Sequence, residues 1–358
     1  IPMHGLMIKA FHLQAKIAES YGSEVNAELL SRIEADLGQD GPVARLVDDW
    51  EGHPIMDALP LRLLGAVHEL VLTGKAPILS GFYPSVGGVF DSEPAWAAFL
   101  DTTEAHALWI RSRLDDQLQT NEVRRSAVLL GGFLEIAKCY PGLPFILYEI
   151  GASAGLNLFW DQYRYELGPY RWGDPDSDLV LRTDWKGSLP ALSSTIEVAE
   201  RKGCDLDPVD IRDEASRIRL QSFVWPDQVE RLARLRAAIE IASRFPPELS
   251  REGADSWLQK CLQTPASKHV SVIFQSIMWM YVPESVRIRV MQQIEEAGLR
   301  ATISAPLAWL RFEGDGLLEA ELRLQCWPGG EDLVLARAHY HGDWVNWLSG
   351  DESTASSA

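Results

Sequence analysis

Apolar residues recur at intervals of three and four through Phe11–Ala18 and Leu29–Ile33, the pattern of helices with one buried face. Leu59–Leu72 is more uniformly apolar, with Pro60 near its start and Gly74 just past its end, and predicts a buried helix. A loop rich in Gly, Pro and aromatic residues follows over 78–90. Two further helices are predicted over Trp96–Leu118 and Val123–Ala137, and the linker Gln119-Thr120-Asn121-Glu122 between them supplies N-cap chemistry. The character changes at Pro141-Gly142-Leu143-Pro144. Phe145–Ile150 is a short apolar run bounded by turn residues, a buried strand, and Leu156–Trp160 after the small-residue turn begins an apolar helix. Residues 163–192, rich in Tyr, Trp, Gly, Pro and Asp, read as an inserted hairpin or flap with a strand near Leu179-Val180-Leu181. Strands are predicted over Val198–Leu206, Val270–Phe274 and Ala301–Ser304, with helices over Pro226–Ser243 and Glu284–Ala297. Leu317–Trp327 and Leu333–His339 form a hairpin turned by Pro328-Gly329-Gly330. The alternation predicts an α/β fold: a mostly parallel sheet, helices on both faces, and an antiparallel hairpin at one edge. The expected domains are a helical N-terminal cap over 1–140 and an α/β domain over 141–350 with its flap about 163–192. A disordered tail is expected over 351–358.

A length of 358 residues allows two domains, or one large fold with a cap. With 46% hydrophobic and 23% charged residues, a disordered chain, a collagen-like fibre and a coiled-coil rod are excluded. No apolar run is long enough for a membrane-spanning helix, and no apolar core precedes a cleavage site near the start. Lys and Arg number 33 against 51 Asp and Glu, a net charge of −18. Arg124-Arg125 and Arg231/Arg234/Arg236 are too short to make a basic face, so nucleic acid and anionic membranes are not expected partners. A small-molecule substrate is expected. Cys139, Cys204, Cys261 and Cys326 form no CxxC pair, which predicts free thiols and a cytoplasmic location rather than a zinc site or disulfides. The 13 Trp are more than an average domain carries and suit the walls of an apolar cleft.

The segment with the clearest chemistry is Glu149-Ile150-Gly151-Ala152-Ser153-Ala154-Gly155, between a strand and a predicted helix. Small residues let a backbone approach a ligand closely, and a helix N-terminus behind them presents N–H groups. The pattern resembles the first strand and loop of S-adenosylmethionine-dependent methyltransferases, where an acid precedes a G-x-G-x-G-like turn; here Ser153 replaces the middle Gly. That resemblance implies a Rossmann-like methyltransferase fold and S-adenosylmethionine as cofactor. The cofactor would be held by Glu149, Gly151, Ala152, Ser153, Gly155 and Asn157. Asp205 in Gly203-Cys204-Asp205 would take the ribose hydroxyls, Asp255 would face adenine, and Gln275 and Ser276 would lie on the rim. Asn121, Trp225 and Tyr281 are substrate-side candidates, and Glu122 is the candidate general base. Asn121 and Glu122 also read as plain helix caps, and Trp225-Pro226 as a packed helix start.

Two alternatives stand beside this one. Gly151-Ala152-Ser153-Ala154-Gly155 also matches the G-x-S-x-G elbow of serine hydrolases, with Ser153 as nucleophile, Asp207 or Asp255 as acid and His339 or His341 as base. A helical first 140 residues and Glu149 beside a developing oxyanion speak against it. A ligand-binding or inactive descendant of the methyltransferase fold is the other. His339, His341 and Asp343 lack a further ligand, so no metal is expected, and His68 in an apolar helix reads as a core histidine.

Several motifs together resemble one uncharacterised bacterial family, domain of unknown function 2332. They are Tyr148–Leu158, Gln119–Glu122, Arg201-Lys202-Gly203-Cys204-Asp205, Val224-Trp225-Pro226-Asp227 and Ala305-Pro306-Leu307-Ala308-Trp309. The resemblance runs over nearly the whole chain. It implies a helical N-terminal region and a methyltransferase-like C-terminal half, and carries no established reaction.

Overall fold

Helices fill the first third of the chain and strands dominate the rest in the computed structural model, which describes residues 3–348 apart from 189, 191, 192, 315, 317 and 318. The expected tail over 351–358 lies outside the described residues. The chain opens with α1 (Met3–Ser20), α2 (Glu24–Leu37), α3 (Pro42–Val47), α4 (Leu59–Leu72), α5 (Pro77–Ser80), α6 (Ser92–Ala105) and α7 (Ala107–Leu114). After α8 (Ser126–Cys139) come β1 (Phe145–Ile150), β2 (Arg164–Leu167), β3 (Tyr170–Gly173), β4 (Val180–Gly187) and β5 (Val198–Asp205). The remainder is α9 (Glu214–Ser222), α10 (Val229–Arg244), β6 (Glu248–Arg251), α11 (Ala254–Cys261), β7 (Val270–Ser276), α12 (Glu284–Arg300), β8 (Leu307–Gly314), β9 (Ala320–Trp327), β10 (Asp332–Ala338) and β11 (Trp344–Trp347).

These elements fall into two compact units, Ile1–Thr120 with Arg212–Arg236, and Asn121–Ile211 with Ala237–Ala358. The first is helical. Its core is built from α1, α2 and α4, with Phe11, Leu29, Ile33, Leu63 and Val67 fully buried. The returning segment 212–236 is tied in by specific bonds. Asp227 accepts from the Ser23 hydroxyl (2.7 Å) and the Val25 N–H (3.0 Å) at the start of α2, and Trp225 meets the Tyr21 ring edge to face. Gly65 allows the ring of Phe223 to lie on α4, since a Cβ there would sit 2.7 Å from two ring carbons. His68 faces the same segment. Its Nδ1 donates to the Ser222 carbonyl (3.0 Å), which leaves Nε2 to accept from the Ser85 hydroxyl (2.8 Å). Burial pushes the imidazole down to about 4, so the ring is neutral.

The second unit is an eleven-stranded mixed sheet, mostly parallel, in the order β3-β2-β4-β11-β10-β9-β8-β7-β1-β5-β6. The five strands β8-β7-β1-β5-β6 are all parallel. Ranked by chain position within that group they run 5-4-1-2-3, the doubly wound arrangement with its switch point between β1 and β7. Alternate side chains of β1 point to opposite faces. Ile146, Tyr148 and Ile150 pack with Trp257 of α11 and Val290 and Ile294 of α12. Leu147 and Glu149 therefore point to the other face, where α8 lies: Phe133 of α8 stacks on Trp160 and meets Phe274 of β7 edge on.

Four expectations are corrected. The hairpin β9–β10 is not at an edge, because β11, β4, β2 and β3 extend the sheet beyond it. The region 163–192 is not a flap over the strands. Its described residues form β2, β3 and β4, whose buried alternates Tyr165, Leu167, Leu181, Thr183 and Trp185 give it a place in the sheet. Residues 301–304 are a turn, and the strand is β8, from Leu307. The unit boundary falls at 120/121 rather than 140, because α8 packs on the sheet; Gly131 and Gly132 leave room for Trp347 and Leu310.

Candidate active site at the strand ends

Glu149 is the penultimate residue of β1, flanked in register by Gly203 of β5 and Phe274 of β7. It is 2% exposed, and its Oε2 has no hydrogen-bond partner. Asp205, two residues beyond Gly203, points to the same face of the sheet. Burial, and then the Asp205 charge, push the Glu149 carboxyl well above the ordinary carboxylate range, against an opposing pull from Arg125.

The turn after Glu149 is built from left-handed residues: Gly151 (φ 67°), Ser153 (φ 52°) and Gly155 (φ 71°). Ser153 adopts a conformation that is uncommon for a residue with a Cβ. The end of β5 clamps it there. Ala152 N–H donates to the Cys204 carbonyl (3.0 Å), and Ser153 N–H donates to Asp205 Oδ2 (2.9 Å). Asp205 Oδ1 accepts from Asp207 N–H (2.9 Å), and Val209 N–H donates back to the Ser153 carbonyl (3.0 Å). Asp205 is thus the carboxylate that shapes the turn, each oxygen keeping one acceptor site.

The helix expected after this turn is a 3₁₀ stretch, Leu156–Gln162, kinked at Phe159. Its first N–H is not free: Leu156 donates to Asn121 Oδ1 (3.1 Å). Asn157 accepts from the Ser126 hydroxyl (2.6 Å) and donates to the Glu122 carbonyl (3.4 Å). Glu122 is buried, and its Oε1 caps a short 3₁₀ turn, Val123–Arg125, by accepting from Arg124 N–H (3.1 Å). Asn121, Glu122 and Asn157 therefore brace the turn together, across 35 residues of sequence.

The far side of the switch point is the loop after β7. Ile277 is left-handed (φ 48°), an outlier for a β-branched residue. Met278 lies against Gly151, where a Cβ would meet its Cε at 2.8 Å. Glu313, at the end of β8, anchors this loop by accepting from the N–H groups of Met278 and Trp279 and from the Gln275 amide. Burial raises the Glu313 carboxyl, and these bonds oppose the rise. Arg125 Nη1 reaches the Ser276 carbonyl (3.3 Å) and its Nε the Tyr340 carbonyl (3.0 Å). Gln275 is not a rim residue: it is fully buried, and its Oε1 accepts from Trp309 Nε1. Ser276 is half-buried and Tyr281 is 79% exposed. Asp255 is taken by Arg289 (2.8 Å), a link from α11 to α12, and Trp225 belongs to the helical unit. Arg125, Met278 and Glu313 were not among the sequence candidates; an acid at the end of the largely apolar β8 is the one local sign of them.

The acids considered as partners for a Ser153 nucleophile are engaged by arginines, Asp207 by Arg251 and Asp255 by Arg289. His339 Nδ1 accepts from the His341 N–H. Among the described residues no group of three or more His, Cys, Asp or Glu is placed to hold a metal ion, and no helix is long and apolar enough to cross a membrane.

Fold and site together define an α/β protein with a mostly parallel mixed sheet and, at its switch point, a buried acid with one unpartnered oxygen. The chain belongs to the family described as "Uncharacterized protein conserved in bacteria (DUF2332)", which matches residues 8–347. No curated protein and no solved structure matches it.

Proposed function

We propose that the protein binds S-adenosylmethionine at the ends of β1, β5 and β7 and transfers its methyl group to a small-molecule or protein acceptor. The observation that carries this reading is the buried, unpartnered Oε2 of Glu149 at the switch point. A buried acid without a donor is costly and calls for a cation or a hydrogen-bond donor. S-Adenosylmethionine brings an ammonium and a sulfonium, and two ribose hydroxyls. Glu149 suits the cationic portion, the remaining acceptor sites of Asp205 suit hydroxyls, and the Gly151–Gly155 turn offers little bulk. The same surroundings disfavour a pyrophosphate, which needs free N–H groups at a helix start. Here the N–H groups of Ala152, Ser153 and Leu156 are already bonded.

When bound, S-adenosylmethionine supplies an activated methyl group, and the chain's own part is to orient the two reactants and exclude water. In this reading Asn121, Glu122 and Asn157 hold the turn in shape. Glu122 is then a positioning residue rather than a general base. The net charge of −18 favours acceptors other than nucleic acid.

Calorimetric titration with S-adenosylmethionine and S-adenosylhomocysteine tests the reading, with thermal shift alongside. Binding is expected, and saturation at about 100 times Kd stabilises the fold by about 2.7 kcal/mol. Asp205→Ala is expected to lose both binding and the shift. Folded protein that binds neither ligand overturns the assignment.

A further inference from the structure

Three acids and one arginine share the strand ends: Glu149 on β1, Asp205 on β5, Glu313 on β8 and Arg125 ahead of α8. Their compensation is unequal. Asp205 accepts two backbone N–H groups. Glu313 accepts two backbone N–H groups and a side-chain amide. Arg125 lies close enough to both Glu149 and Glu313 to favour their charged forms, and its guanidinium is shared with two carbonyls. Glu149 alone of the three has an oxygen that is buried and accepts nothing. The groups acting on it are Asp205 from β5, Arg125 from the turn before α8 and the hydroxyl of buried Tyr163, which donates to the Leu156 carbonyl. One cation against a like-charged neighbour leaves Glu149 without a counter-charge of its own.

We propose that Glu149 is an exchange group: the unliganded protein holds it as the neutral acid, and a cationic group of the ligand displaces its proton to solvent. The inference rests on the S-adenosylmethionine reading and adds what that site selects. The carboxyl O–H bond breaks, the proton leaves to buffer, and the carboxylate formed pairs with the ligand's ammonium or sulfonium. The charge of the site is the same before and after. A neutral or anionic adenine nucleoside cannot make the exchange and leaves the acid as it was. The raised carboxyl of Glu149 agrees with this direction.

The test is calorimetry on the full chain at mildly acid pH, in two buffers of different ionisation enthalpy, with S-adenosylmethionine, S-adenosylhomocysteine and adenosine. The wild type is expected to release about one proton per S-adenosylmethionine bound, and to bind more tightly as pH rises, by up to about tenfold per pH unit. Adenosine is expected to release none. Release with S-adenosylhomocysteine as well assigns the exchange to the ammonium; release with S-adenosylmethionine alone assigns it to the sulfonium. Glu149→Gln is expected to weaken S-adenosylmethionine by at least about 30-fold, as loss of one partner of a buried charge pair does, and to abolish proton release. S-Adenosylmethionine binding with equal heats in both buffers, or with unchanged release in Glu149→Gln, overturns the exchange and leaves the cofactor assignment standing. If neither sulfur ligand binds the folded wild type, both fall. If Glu149→Gln does not fold, the wild-type pH dependence decides: an affinity flat or falling with rising pH overturns the exchange.

Discussion

His68 in the helical unit and Glu149 in the sheet unit are both buried titratable side chains, and burial shifts each toward its neutral form, the imidazole down and the carboxyl up. They differ in what surrounds them. Each ring nitrogen of His68 has its partner, a carbonyl on one side and a hydroxyl on the other. Glu149 has a carboxylate neighbour and an oxygen with no donor. A satisfied buried group belongs to the fold, whereas an unsatisfied one calls for an explanation, which at Glu149 the proposed ligand supplies. Burial alone does not separate the two cases; the count of partners does.

The comparison breaks first at His68. His68→Ala leaves the Ser222 carbonyl and Ser85 hydroxyl without their partner and opens a cavity beside Phe223. It is expected to cost about 2–4 kcal/mol in denaturant unfolding, with no selective effect on ligand affinity. An unchanged stability would mean that the two His68 bonds do not hold the helical unit together. The pH dependence runs in opposite directions at the two sites. His68 binds a proton more readily unfolded than folded, so its contribution is complete above about 6.5 and is lost as pH falls toward about 4. Glu149 has the reverse sign. Its raised carboxyl disfavours folding as pH climbs above the ordinary carboxylate range. Glu149→Gln, measured without ligand at neutral pH, is therefore expected to raise Tm by a few degrees, the gain fading in acid. A fall in Tm at neutral pH would mean that Glu149 has a compensating role in the fold. The smallest effect is expected at Asn121→Ala, which removes the cap on Leu156 and costs about 1 kcal/mol in thermal unfolding.

How legible all this was depended on the range of the interactions. β1 and β7 were readable because largely apolar runs between turn residues are a local signal, and the small-residue turn with Glu149 came with them. Within 163–187 a hairpin and a strand near Leu179–Leu181 were legible, and they are β2–β3 and β4; that they join the sheet, with Tyr165 and Leu167 inward and Arg164 and Glu166 outward, was not. Aromatic and Gly/Pro content drew attention to a flap instead. Gln275 was placed on the rim by strand position alone, and Asp255 was set facing adenine by the methyltransferase resemblance. Their actual partners, Trp309, Glu313 and Arg289, are 34 and 38 residues away and leave no mark in their neighbourhood. The bracing of the turn by Asn121 and Glu122 was half visible, since both had been read as caps. That they cap the turn and its neighbour in the sheet unit required the fold.

The detour of residues 212–236 into the helical unit sets an order on synthesis. The Ser23–Asp227 bond closes over 204 residues and the His68–Ser222 bond over 154. At about 5–20 residues per second, the helices that leave the ribosome first wait on the order of ten seconds or more for Ser222, Trp225 and Asp227 to appear. Until then the face of α4 around Gly65 and the start of α2 stay open to water. The nascent chain is therefore most in need of chaperone cover over α2 and α4, and a ribosome-bound chain stalled before residue 222 should be digested by protease throughout these helices, while one stalled well past Asp227 should resist.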